Sequence, residues 1–162
     1  MVKNKRNVII GSSTFIIVIA LIWLGSSFMQ NNTSNESDIN PATKATIYKS
    51  PTCGCCVKYI SYLKKQDFVV ETVTTEDMWS IKNQYQIPSD MESCHTTVIG
   101  DYFIEGHVPL EAVEKLLQEQ PDIDGIALPD MPAGSPGMPG KKQGEWQIYT
   151  LKNGEVNQFV NL

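Results

Sequence analysis

Pro51-Thr52-Cys53-Gly54-Cys55-Cys56 packs three of the chain's four cysteines into one tetrapeptide. The fourth, Cys94, comes much later and is followed at once by a histidine, in Ser93-Cys94-His95-Thr96. Such crowding admits three readings: disulfide staples, a redox couple or a metal site. The flanks of the hexapeptide decide the fold. Upstream, Ala45-Thr46-Ile47-Tyr48 alternates like a short strand, and Ser50-Pro51-Thr52 punctuates it. Downstream, Val57, Ile60, Tyr62 and Leu63 recur at helical spacing, and Lys64-Lys65 suit a helix C-terminus.

Working outward, Phe68 to Val73 is rich in β-branched residues and reads as a strand. A second helix is expected from about Asp77 to Tyr85, ending before Ile87-Pro88. Thr96–Ile99 and Tyr102–Glu105 flank Gly100-Asp101 as a compact hairpin. Pro109 starts a third amphipathic helix that carries Leu110, Val113, Leu116 and Leu117 to Glu119. The order is β-α-β-α-β-β-α, with a C-x-x-C segment between the first strand and the first helix. That combination predicts an α/β, thioredoxin-like fold, a central mixed sheet flanked by helices. Pro121 to Gln143 is dense in Pro and Gly and reads as a long loop, of the kind more often functional than idle. Trp146–Leu151 and Val156–Val160 then form a closing C-terminal β-hairpin around Asn153-Gly154.

The chain has 162 residues and a net charge of −5. After residue 24 there are 10 Lys against 18 Asp and Glu, a balance of −8. A nucleic-acid partner, which needs a basic surface, is excluded on that ground. Lys3, Lys5 and Arg6 precede an uncharged apolar run from Val8 to Leu24. The run is near the lower limit of about 17 residues for a spanning helix. It is longer than the roughly 7–15 residues of a signal-peptide core. No clear A-x-A site follows it, so residues 1–29 are expected to be an uncleaved single-pass anchor, with a cleaved signal cut at Gly25-Ser26-Ser27 as the alternative. The positive N-terminus places the rest of the chain outside the cytoplasm. Residues 30–43 are polar and read as a flexible linker, leaving 44–162 as the folded domain.

A helix beginning near Cys53 puts Cys53 and Cys56 on one face and sets their sulfurs beside unsatisfied backbone amides, which favour thiolate over thiol. Cys55 is the surplus: a plain redox couple needs two sulfurs. In the thioredoxin pattern the loop before the central hairpin packs on the C-x-x-C turn, so Cys94 and His95 should join the cluster. His107, just beyond the second hairpin strand, is either near the cluster or simply exposed. Met131 and Met138 are thioether donors if their loop folds over the site, and packing residues otherwise. Four sulfurs and imidazole select copper(I), zinc or iron–sulfur chemistry. Zinc prefers four tetrahedral ligands; the larger soft supply here suits copper(I), with donors enough for more than one ion. Met78, Met91, Trp79 and Trp146 are assigned to the core. The acidic residues are scattered and read as solvated surface, with no pair suited to acid–base catalysis.

The motifs P-T-C-G-C-C, S-C-H-T, I-E-G-H-V-P and L-P-D-M-P-A-G-S-P-G-M, in that order, resemble the exported CopG-like copper-resistance proteins, a family of domains of unknown function. The resemblance covers roughly residues 44–162. It implies a thioredoxin-like fold, copper(I) binding at the clustered cysteines and a role in copper tolerance. By matching positions, Cys53, Cys55, Cys56 and Cys94 would be sulfur ligands, with His95, His107 and Met138 as further carried-over ligands. Members of that family are often cleaved and periplasmic, whereas this chain reads as anchored. The competing reading is an anchored thiol–disulfide or copper oxidoreductase, with Cys53 and Cys56 as the redox pair. A structural or adhesion module would need none of the cysteines. Structural disulfides fit poorly, because Cys53–Cys56 closes too small a loop to constrain the unfolded chain much. No protein that would deliver or accept the metal can be named from these residues.

Overall fold

The computed structural model of the protein describes residues 43–162. The anchor expected over residues 8–24 and nearly all of the linker lie outside the described residues. Among the described residues no helix is long and apolar enough to cross a membrane.

Strand β1 (Lys44–Lys49) leads through the cysteine turn into helix α1 (Gly54–Lys64). Strand β2 (Val69–Thr74), helix α2 (Met78–Gln84), the hairpin β3 (His95–Ile99) and β4 (Tyr102–Glu105), and helix α3 (Leu110–Glu119) follow in the expected order. Helices α1 and α2 start on side-chain caps, and α3 starts after a proline. Cys53 Sγ accepts the Cys56 amide at 3.3 Å. Asp77 Oδ1 accepts the Ser80 amide at 3.0 Å, and Pro109 provides the extended residue before α3. A short strand β5 (Gly125–Ala127) and the hairpin β6 (Gln147–Lys152) and β7 (Glu155–Asn161) complete the mixed α/β domain. Asn153 and Gly154 both take positive φ, as the tight turn between β6 and β7 requires.

Among the described residues seven strands form one sheet in the order β2-β1-β3-β4-β5-β6-β7. β1 runs parallel to β2 and antiparallel to β3, and β4 runs parallel to β5. The larger core cluster gathers Ile47, Tyr59, Leu63, Ile104, Val113 and Leu116, so α1 and α3 cover one face. The smaller joins Ile87, Phe103, Ala127 and Leu151, beside Tyr85 and Met91, on the face that α2 covers. Alternation along β4 sends Ile104 to the first face and Phe103 and Glu105 to the second.

Three expectations need correction. The segment from Pro121 to Gln143 is not loop throughout, because β5 enters the sheet between β4 and β6. Its three residues, Gly125-Ile126-Ala127, are too few to show a period, and all are buried. Trp79 is not core: it stands 72% exposed on α2, whose inward side presents Lys82 instead. Val57 is also exposed, since the buried face of α1 runs through Cys56, Tyr59, Ile60 and Leu63.

Leu116 is fully buried. Leu116→Ala should therefore lower the unfolding free energy by about 2–5 kcal/mol. Trp79→Ala should stay within about 0.5 kcal/mol of the parent. Denaturant unfolding of the reduced protein measures both.

Candidate metal centre

The antiparallel register of β1 with β3 sets Lys49 opposite His95. That pairing carries the residue before β3, Cys94, to the end of β1, where the cysteine turn begins. The four sulfurs converge: all lie within 4.8 Å of one another. Cys94 Sγ is 3.7 Å from Cys55 Sγ and 3.6 Å from Cys56 Sγ, and Cys53 and Cys55 are 3.5 Å apart. Cys53 and Cys56 are joined as a disulfide across the first helical turn, with Cα atoms 5.4 Å apart, while Cys55 and Cys94 are free thiols. Cys56 is buried; the other three are half-buried.

A second group shares one of these sulfurs. Cys94 Sγ lies 3.3 Å from His95 Nδ1 and 3.1 Å from His107 Nε2. Both imidazoles are fully buried, so His107 is not the exposed loop residue that its Gly and Pro neighbours allowed. Tyr59 packs on both rings, with centroids 4.7 Å from His95 and 5.4 Å from His107, and its hydroxyl donates to the Val108 carbonyl at 2.9 Å.

The tautomer of His107 follows from its partner. Nδ1 lies 2.6 Å from the Pro136 carbonyl, which can only accept, so Nδ1 carries the hydrogen. In the neutral ring Nε2 then holds a lone pair aimed at Cys94 Sγ. A ligating histidine is normally oriented in this way by a carbonyl on its far nitrogen. His95 lacks that support: its Nε2 is buried without a partner. Burial holds both imidazoles below the usual histidine range, aided for His95 by His107 and Lys82, so both are neutral donors at pH 7. Burial, then the neighbouring Cys55, pushes the Cys94 thiol up to about 12. A metal taking that sulfur must displace a proton.

Pro136 belongs to the Pro/Gly-rich loop, which does fold over the cluster. Gly137, at φ +85, passes so close to α1 that a Cβ there would lie 2.8 Å from the Tyr59 amide nitrogen and 3.2 Å from the Cys55 carbonyl oxygen. Met138 follows directly and is half-buried, its amide donating to Ser135 O at 2.8 Å. Met131, earlier in the loop, stands 37% exposed.

Two residues escape a reading of the sequence. Glu105, grouped there with the solvated acids, is fully buried and paired with buried Lys82. Burial raises its carboxyl above the usual range, and Lys82 opposes that shift. The signal was present: Glu105 shares the inward face of β4 with Phe103, immediately before Gly106-His107.

The chemistry of the donor set fits a soft metal ion. Four sulfurs and two neutral imidazoles, arranged as two groups that share Cys94 Sγ, are suited to thiophilic ions. Residues 91–138 match the family described as "Protein of unknown function, DUF411". Two solved structures resemble the chain over its folded part. "Copper resistance protein copG- Form 2" is 36% identical with a TM-score of 0.69, and the match covers 75% of this chain and 98% of that one. "Copper resistance protein copG- Form 1" has the same identity and TM-score over 76% of this chain and 98% of that one. No curated protein sequence matches. The fold of the described residues is thus shared with two structures named for copper resistance. The chain belongs to the CopG family of copper resistance proteins.

Two measurements follow from this geometry. Below its raised pKa, the alkylation rate of Cys94 in the native protein should climb about tenfold per pH unit from pH 8 to 10, followed by peptide mass; a plateau near pH 9 would contradict a buried thiol. Gly137→Ala should speed hydrogen exchange at residues 134–138 and leave the amides of β1 unchanged.

Proposed function

We propose that this protein binds copper(I) through Cys53, Cys55, Cys56 and Cys94 and serves copper resistance outside the cytoplasm. The observation that carries this reading is the gathering of all four sulfurs within 4.8 Å from two distant parts of the chain. His107 is the better supported nitrogen ligand, its far nitrogen already bound to Pro136. His95 is the second, and Met138 contributes a thioether from the covering loop. A sulfur shared by two groups can bridge two ions, so the site suits a small thiolate-bridged set of copper(I) ions better than one tetrahedral zinc. The element order and the β2-β1-β3-β4 arrangement support a thioredoxin-like fold for the core. The apolar run at residues 8–24 supports a single-pass anchor that holds the domain outside the cytoplasm, where it would meet metal.

The Cys53–Cys56 disulfide favours a second reading, an anchored thiol–disulfide or copper oxidoreductase. In that reading the two thiols give two electrons and two protons to an acceptor disulfide and become the bond seen here. The two readings differ over Cys55, which a two-cysteine cycle does not need.

Anaerobic copper(I) titration of the reduced full-length chain against a competing chelator, with zinc in parallel, separates them. Tight copper(I) uptake is expected, weakened about tenfold or more by either Cys94→Ser or Cys55→Ser. Protein carrying the Cys53–Cys56 disulfide should take up much less. Uptake no greater than two exposed thiols give, or a Cys55→Ser variant that binds like the parent while retaining disulfide exchange, would transfer the case to the redox reading.

A further inference from the structure

Behind the cysteines, on the α2 face of the sheet, lies a buried ion pair with no part in metal ligation. Glu105 closes β4 and Lys82 projects from α2; both are buried, and their side chains are in direct contact. Glu105 Oε1 also accepts the Ser93 amide at 2.5 Å. Its Oε2 accepts the Thr96 hydroxyl at 2.6 Å, and Thr96 sits directly across the β3–β4 ladder from it. Lys82 Nζ donates to the same hydroxyl at 3.4 Å. Ser93 and Thr96 bracket Cys94-His95, so one carboxylate grips both ends of the dipeptide that brings the fourth sulfur. The residue after the strand tightens the hold: the Gly106 amide donates to the His95 carbonyl at 3.0 Å. A Cβ at Gly106 would lie 2.7 Å from Ser93 Oγ.

Stability alone does not explain such a pair, since apolar replacements of buried ion pairs are often neutral or stabilising. Its contacts are directional and all converge on one short segment. We propose that Glu105, with Lys82 as its counter-ion, is a positioning residue that fixes the Cys94 sulfur against Cys55 and Cys56. The proposal rests on the reading of Cys94 as a metal ligand, but the placement it claims is measurable without metal.

The test uses the full-length chain with Cys53→Ser and Cys56→Ser, which leaves the Cys55 and Cys94 sulfurs, 3.7 Å apart here, as the only thiols. In glutathione buffers the two thiols form one disulfide, and their two electrons and two protons convert one glutathione disulfide into two glutathione thiols. The equilibrium constant is the effective concentration of one sulfur at the other. Glu105→Gln removes the charge that pairs with Lys82 and leaves one acceptor oxygen where two now accept from Lys82, the Ser93 amide and the Thr96 hydroxyl. It should lower that effective concentration about tenfold or more. Thr96→Val releases one end of the grip and should lower it less, in the same direction. Leu116→Ala, which weakens the core on the opposite face of the sheet from the Glu105–Lys82 pair, should leave it unchanged.

Parent-like effective concentration in a folded Glu105→Gln or Thr96→Val protein would overturn the proposal; if Glu105→Gln does not fold, Thr96→Val decides it. A fall in Leu116→Ala as large as in Glu105→Gln would overturn it too, by reducing the role to general stability. Copper(I) titration separates this proposal from the function it serves. If the parent takes no copper(I), the functional reading fails while the placement result stands. If it does, Glu105→Gln should weaken binding less in the Cys94→Ser background than in the parent, and an equal loss in both would show that Glu105 does not act through Cys94.

Discussion

The site depends on one pairing, the antiparallel register that sets His95 of β3 opposite Lys49 of β1. Side chains alternate across a sheet, so a slip of one residue would turn His95 away from Tyr59 and send Thr96 to the wrong face. With the register as it is, His95 meets Tyr59 and His107 on the α1 side, and Thr96 meets Glu105 and Lys82 on the α2 side. Cys94, one residue earlier, reaches the sulfurs at the start of α1. Two stretches far apart in the chain thus become one cluster through backbone hydrogen bonding.

Around that constraint the fold arranges support at three levels. Helix α1 starts on Cys53, whose sulfur accepts a backbone amide of the first turn. The β3–β4 hairpin brings His107 back beside Cys94. The Pro/Gly-rich loop crosses over α1 at Gly137 and uses the Pro136 carbonyl to choose the His107 tautomer. Burial keeps both imidazoles neutral and the Cys94 thiol protonated. Those three groups are therefore uncharged, and a metal taking the Cys94 sulfur would displace its one proton.

Much of this was legible in the sequence, for reasons that differ by element. Strands β1 to β4 and helices α1 and α3 carry the patterning expected of them, and the position of C-G-C-C after a strand and before a helix pointed to where Cys94 would lie. Strand β5 was not legible, because three residues show no period and their burial comes from neighbours on both sides. Trp79 was misplaced because α2 buries a lysine where a large apolar residue was expected, and that lysine has meaning only once Glu105 is known to be inside. Charged residues at the core are visible in three dimensions and nearly invisible in composition. His107 could be named as a candidate, but only Pro136, contributed by the covering loop, shows why its Nε2 faces the sulfur.

Whether the clustered sulfurs hold copper(I) is decided by X-ray absorption at the copper edge, on the full-length chain loaded anaerobically in its reduced form. Ligation by the cluster gives a copper(I) edge and a nearest shell dominated by sulfur, with nitrogen as the minor scatterer and sulfur lost in Cys94→Ser. A nearest shell of nitrogen and oxygen alone, unchanged by that substitution, would contradict it.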